Sequence, residues 1–177
     1  MPYKGQVAVV SADGGQWAAH DGTKWNATKK GPKIGRLLTV TVLGEDRIFL
    51  CRGANHNNLG KELLADLVVA DLKPDGTWKK DTLETENVAS AIVTASGDAV
   101  FCFYVKKVGD EEYDVRYRRW KGGTWEESVK VASESRRVNH LAAPQICPPD
   151  YAAIFWDQHF RKRGDPSEVK FVRVPNT

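Results

Sequence analysis

Ala89-Ser90-Ala91-Ile92-Val93-Thr94-Ala95-Ser96-Gly97-Asp98-Ala99-Val100-Phe101-Cys102-Phe103-Tyr104 is a pair of apolar runs joined by a Ser-Gly-Asp turn. Two such runs across a tight Gly/Asp turn predict a β-hairpin. The pattern recurs on both sides. Gly44-Glu45-Asp46 separates residues 37–43 from 47–51, and Pro148-Pro149-Asp150 separates residues 141–147 from 151–156. The turn aspartates Asp46, Asp98 and Asp150 are 52 residues apart in both intervals. A fixed spacing of this size is the mark of a repeated supersecondary unit.

A second landmark follows each of the first two hairpins. Asp75-Gly76-Thr77-Trp78 and Gly122-Gly123-Thr124-Trp125 place a tryptophan after a turn, and Asp21-Gly22-Thr23-Lys24-Trp25 does the same near the N-terminus. Alternating strands precede the last two turns, at 66–71 and 114–120, and a third such strand at 168–174 follows the third hairpin. Each unit therefore reads as four strands: hairpin, third strand, Gly-Thr-Trp turn, fourth strand. Helical periodicity is not sustained anywhere; residues 60–69 alone compete, and their end fits a strand better.

The chain is expected to be a single all-β domain, residues 1–177. Within it, residues 37–86 form one unit, 88–133 a second and 139–174 a third that lacks its last strand, with N-terminal closing strands at 6–30. Four-stranded antiparallel units stacked by a fixed rotation predict a β-propeller-like array of three to three and a half blades. That number is too small for a comfortable ring and leaves sheet edges and an inter-sheet face open. A homo-oligomer is expected, most simply a homodimer forming a six- or seven-bladed ring. The alternative is a β-sandwich or irregular barrel of the same strands.

Composition narrows the partners. Of 177 residues, 26 are basic and 23 acidic, and a net charge of +3 does not suggest nucleic-acid binding. No apolar run approaches the ~20 residues of a membrane span, and the first residues lack the apolar core of a secretory signal. Cys51, Cys102 and Cys147 are odd in number, widely spaced and set in apolar strands. They read as small buried hydrophobes in a reducing compartment, so an intracellular location is the default, with no disulfide frame, metal site or cofactor expected.

The turns resemble those of the sialidase-like propellers with BNR (Asp-box) repeats, whose signature is Ser/Thr-x-Asp-x-Gly-x-Thr-Trp. Ser11-Ala12-Asp13-Gly14-Gly15-Gln16-Trp17 approaches it but is one residue short, while Asp75-Gly76-Thr77-Trp78 and Gly122-Gly123-Thr124-Trp125 keep its latter part. The order from Arg36 through Leu50-Cys51-Arg52-Gly53 and Asp66-Leu67-Val68-Val69 is similar to that family's opening blade. The resemblance implies a carboxylate-binding arginine at Arg36 and an acid/base at Asp66. The family's Ile-Pro after that arginine is absent, the chain is about half the family's length, and no Tyr/Glu nucleophile pair or arginine triad stands out.

The polar residues beside the hairpins form a second set of candidates. His56 lies in Asn55-His56-Asn57-Asn58, His140 opens the third hairpin, and Trp156-Asp157-Gln158-His159 closes it. If the units share an axis, His56, Tyr104 and His159 converge at one end, with Arg52 and Trp156 nearby. Aromatic, amide, histidine and arginine groups together suit a sugar, whose CH face lies on a ring while its hydroxyls meet planar polar groups. The leading expectation is a non-catalytic, lectin-like binding module with a glycan ligand at Arg52, His56, Tyr104, Trp156 and His159. The alternatives are a glycoside hydrolase or polysaccharide lyase using Arg36, Asp66 or His140, and a scaffold that binds proteins.

Overall fold

The computed structural model describes residues 2–35, 38–52, 62–158 and 168–177, and every regular element among them is a strand. A first antiparallel sheet pairs β1 (Pro2–Tyr3), β2 (Gln6–Val10), β3 (Gln16–His20) and β4 (Lys29–Lys30) in chain order. A nine-stranded sheet takes in β5 (Leu38–Leu43), β6 (Arg47–Arg52), β7 (Ala65–Leu72), β8 (Trp78–Ser96), β9 (Ala99–Lys107), β10 (Tyr113–Lys121), β11 (Thr124–Trp125), β12 (Val129–Glu134) and β14 (Ile146–Cys147). The last sheet joins β13 (Val138–Ala142), β15 (Tyr151–Gln158) and β16 (Val169–Pro175). None of the sheets closes on itself.

All three hairpin positions pair antiparallel, with Leu43 opposite Arg47, Ser96 opposite Ala99 and β13 opposite β15. Gly97 turns the middle one at φ +55°, and a Cβ there would come within 2.8 Å of the Pro149 carbonyl. The turn therefore needs glycine for its backbone and for the neighbouring turn against it. Asn176 fastens the two, donating from Nδ2 to the carbonyls of Ser96 at 2.8 Å and Pro149 at 3.1 Å.

Two expectations about the units need correction. The fourth strand of the first unit and the first strand of the second are one element, β8, so the two units share one sheet. The boundary survives as a bend: Glu86 and Asn87 both take left-handed φ, 55° and 57°. β8 pairs β7 as far as Val88, and from Val88 onward it pairs β9. The first strand of the third hairpin is also broken. Pro144 brings no amide hydrogen to a ladder, and the chain leaves β15 after Ala142. It then rejoins β8 in parallel, Ile146 opposite Ala95 and Cys147 opposite Ser96.

Packing follows from the period-two alternation of strands. In β6, Ile48 and Leu50 face the first sheet with Ala8, Trp17 and Ala19, while Phe49 and Cys51 face the second unit with Val93 and Cys102. In β9, Val100, Cys102 and Tyr104 face the first unit, and Phe101, Phe103 and Val105 face the third with Ile154 and Trp156. Strands covered on both faces read as unbroken apolar runs, which is why Ala99–Val105 carries no polar side chain except the Tyr104 hydroxyl. Four layers, namely the first sheet, the two units and the last sheet, thus meet across three apolar seams. The three cysteines are free and buried in these seams.

Candidate functional site

The hairpin turns lie at one end of the strands, so the other end gathers the close of β6, β9 and β15 and the start of β7, β10 and β13. Between the second unit and the last sheet lies a cleft of about 720 Å³. Its lining includes Glu112, Lys130, Ser133, Arg136, Glu168 and Lys170, together with the buried Tyr113, Asp114, Glu134 and Gln158.

Glu134 is the anchor of this cleft. It closes β12, is 4% exposed, and receives three donors from the last sheet. Trp156 Nε1 donates to Oε1 at 2.8 Å, Lys170 Nζ to Oε2 at 2.7 Å, and Gln158 Nε2 also to Oε2. A buried carboxylate is tolerated only when its lone pairs are met in this way. Asp114, on β10, is held similarly: Arg116 Nη1 donates at 3.0 Å, Ser133 Oγ at 3.0 Å, and Lys130 Nζ stands 3.5 Å away.

Behind the cleft, the Tyr113 hydroxyl donates to Glu62 Oε2 at 3.1 Å, with Lys107 and Arg137 at 3.8 and 3.9 Å from the same carboxylate. Burial, then the charge of Glu62 and the bond to it, push the phenol up to about 12. Sequence alone does not suggest the pairing because Glu62 and Tyr113 are 51 residues apart and on different units. Glu134, Asp114 and Lys170 were not expected as site residues either. Asp114 alternates with Tyr113 and Val115, which marks it as solvent-facing, and what Glu134 and Lys170 meet is decided by the neighbouring layer.

The residues chosen from the sequence fall in several places. Arg36, His56 and His159 lie outside the described residues. Arg52 ends β6, its aliphatic stem against Gly35, and its Nη2 is buried with no partner among the described residues. Tyr104 is fully buried in the seam between the two units, its hydroxyl 3.1 Å from Glu84 and 2.5 Å from Ser128. Trp156 is 5% exposed in the next seam, occupied with Glu134. Asp66 accepts the Glu86 amide at 2.9 Å and so holds the bend of β8. His140, with 71% of its side chain exposed, places Nδ1 3.1 Å from both oxygens of Asp157. The structure thus sets Asp66 and His140 on different sheets, and puts Tyr104 and Trp156 in seams rather than at an open surface.

The turn carboxylates have a structural role. Asp21 accepts from the Lys24 and Thr23 amides and the Thr23 hydroxyl, which bring it down to about 2. Asp75 receives the Thr77 amide and hydroxyl at 2.8 and 2.6 Å, and Asp13 the Ser11 hydroxyl and Gly15 amide at 2.7 and 2.9 Å. Among the described residues, no group of three or more His, Cys, Asp or Glu side chains is placed to hold a metal ion. No described helix is long and apolar enough to cross a membrane. No family model matches the chain, and no curated protein or solved structure matches it.

Proposed function

We propose that the chain is a propeller-type, non-catalytic carbohydrate-binding module whose saccharide sits in the cleft over Glu134 and Asp114. The propeller reading is supported by the seams: consecutive layers meet face to face. It is also supported near the hairpin turns, where the Thr41 hydroxyl donates to the Gln145 carbonyl at 2.5 Å and the Val93 amide to the Thr39 hydroxyl at 3.2 Å. These contacts draw β5, the second half of β8 and β14 toward one another, as inner strands about a common axis.

The carbohydrate reading rests on one observation: the cleft's buried acceptors are fixed before any ligand arrives. Four carboxylates (Asp114 and Glu134 held by donors, Glu112 and Glu168 at the walls), an amide, two ammonium groups and a guanidinium line a space of a size that ligand pockets commonly have. Vicinal sugar hydroxyls both donate and accept, and they match such a set. Because Trp156, Lys170, Arg116 and Ser133 already hold Glu134 and Asp114, little side-chain ordering remains to be lost there on binding.

The test is a saccharide array followed by isothermal titration with the best ligand. Binding is expected, and Asp114→Asn with Glu134→Gln should weaken it at least tenfold. Absence of binding to any saccharide, or affinity unchanged in both variants, overturns the reading. A second reading, glycoside hydrolysis or polysaccharide cleavage, is favoured by the Tyr113–Glu62 pair, since a phenol beside a carboxylate can act as nucleophile or proton carrier. Turnover of aryl glycosides or polysaccharides that disappears in Tyr113→Phe would favour it over the binding module.

A further inference from the structure

The inner layers are covered on both faces, and the two end layers on one. Their uncovered faces carry the residue types that fill the seams. On the last sheet, Phe155 and Phe171 stand opposite each other with rings stacked at 5.3 Å, beside Val169. These three are 39%, 55% and 73% exposed. Arg173 lies over the Tyr151 ring on the same face, 5.2 Å from its centre. On the first sheet, Val7 and Val9 are 55% and 47% exposed. They stand opposite His20 and Ala18, and Trp25, 52% exposed, meets the His20 ring edge-on at 5.0 Å.

We propose that these two faces dock on each other between two copies of the chain, the first sheet of each copy covering the last sheet of the other. The inference rests on the propeller reading above and is independent of the saccharide reading. Continuity of the stack is the first argument. Every seam joins the forward face of one layer to the rear face of the next, and the two open faces are the rear of the first layer and the forward face of the last. A second copy placed end to end therefore repeats a seam the fold already makes three times.

Area is the second argument. At ~3.3 Å per residue and ~4.8 Å between strands, β1 to β4 give the first face about 220 Å², and β13, β15 and β16 give the last about 320 Å². One joint then covers about 540 Å² in all, below what a specific interface needs, while two joints reach about 1,080 Å², just above the ~1,000 Å² that a biological interface should clear. A closed pair makes two joints and an open chain of copies only one per added copy, so closure is favoured. Four layers from each copy give a ring of eight, within the usual range of about four to eight blades. This differs from the six or seven expected from the sequence, because the N-terminal strands form a layer of their own.

The experiment is light scattering of the wild type with Phe171→Lys and Val9→Lys, one substitution on each face. The wild type is expected at twice 19.7 kDa, and each variant at the monomer mass with an unchanged far-ultraviolet circular dichroism spectrum. A wild type that stays monomeric at hundreds of micromolar overturns the proposal, and so does a dimer that both variants leave intact. Small-angle scattering of monomeric Phe171→Lys separates this from the premise. An arc of stacked layers with a monomeric wild type defeats the ring alone, whereas a compact two-layer shape defeats the propeller reading itself.

Discussion

The first and last seams of the molecule are built on different chemistry. Between the first sheet and the first unit, Trp17 and Trp78 meet edge to face at 6.3 Å among alanine, valine, isoleucine and leucine, and no buried residue of that cluster is charged. Between the second unit and the last sheet, a comparable apolar cluster ends at the Glu134 carboxylate and its three donors. An apolar seam is non-directional and tolerates small slides. The Glu134 contacts have one good geometry, so they fix the last sheet in a single position and leave the polar cleft open beside them.

The most decisive break in that contrast is Glu134→Ala. Removing the acceptor strands the Trp156 indole N–H and the Gln158 amide in a buried seam. The cost should lie near the lower end of about 3–5 kcal/mol, because Lys170 is 38% exposed and can rehydrate. Urea denaturation measures it. A loss below about 1 kcal/mol would mean that the three bonds to Glu134 do not order this seam.

Sequence carried the hairpins because their signals are local. Ser96-Gly97-Asp98 between apolar runs demands a turn whatever surrounds it, and the unit boundary reappears as the left-handed Glu86–Asn87 bend. It did not carry the continuity of β8, since a bend that keeps both halves extended leaves no break in alternation. Nor did it carry the break in the first strand of the third hairpin, since the transfer of Ile146 and Cys147 to β8 depends on a partner 51 residues away. The site was less legible for the same reason. Tyr104 and Trp156 were legible as aromatic side chains with a polar tip, yet what each tip meets, Ser128 with Glu84 or Glu134, is decided across a seam.

The pH dependence sharpens the contrast at the next level of effect. Tyr113 stays protonated to about 12, so its folded value lies above the unfolded one near 10. For such a group the stabilisation is complete below pH 10 and is lost as pH rises from 10 to 12, because the unfolded chain ionises first. Two pKa units correspond to at most about 2–3 kcal/mol. Burial raises Tyr104 as well, so Tyr113→Phe keeps that second contribution to the decline and loses its own. Absorbance at 295 nm together with urea midpoints at pH 9 to 11.5 should show a shallower decline in the variant. Parallel declines would place the late titration elsewhere.

The smallest expected effect comes from making the same substitution in both seams. Trp78→Phe removes an indole nitrogen that is buried without a partner among the described residues. Losing it relieves an unmet donor while giving up part of the edge contact with Trp17, two terms of opposite sign, so the net change should stay within about 1 kcal/mol. Trp156→Phe removes a donor from a buried carboxylate and should cost about 1–3 kcal/mol. The difference between the two variants cancels most of what the loss of a larger ring contributes to each, and isolates the bond to Glu134. Equal shifts in the two urea midpoints would show that the last seam is held by its apolar contacts as the first is, with the carboxylate serving only the cleft.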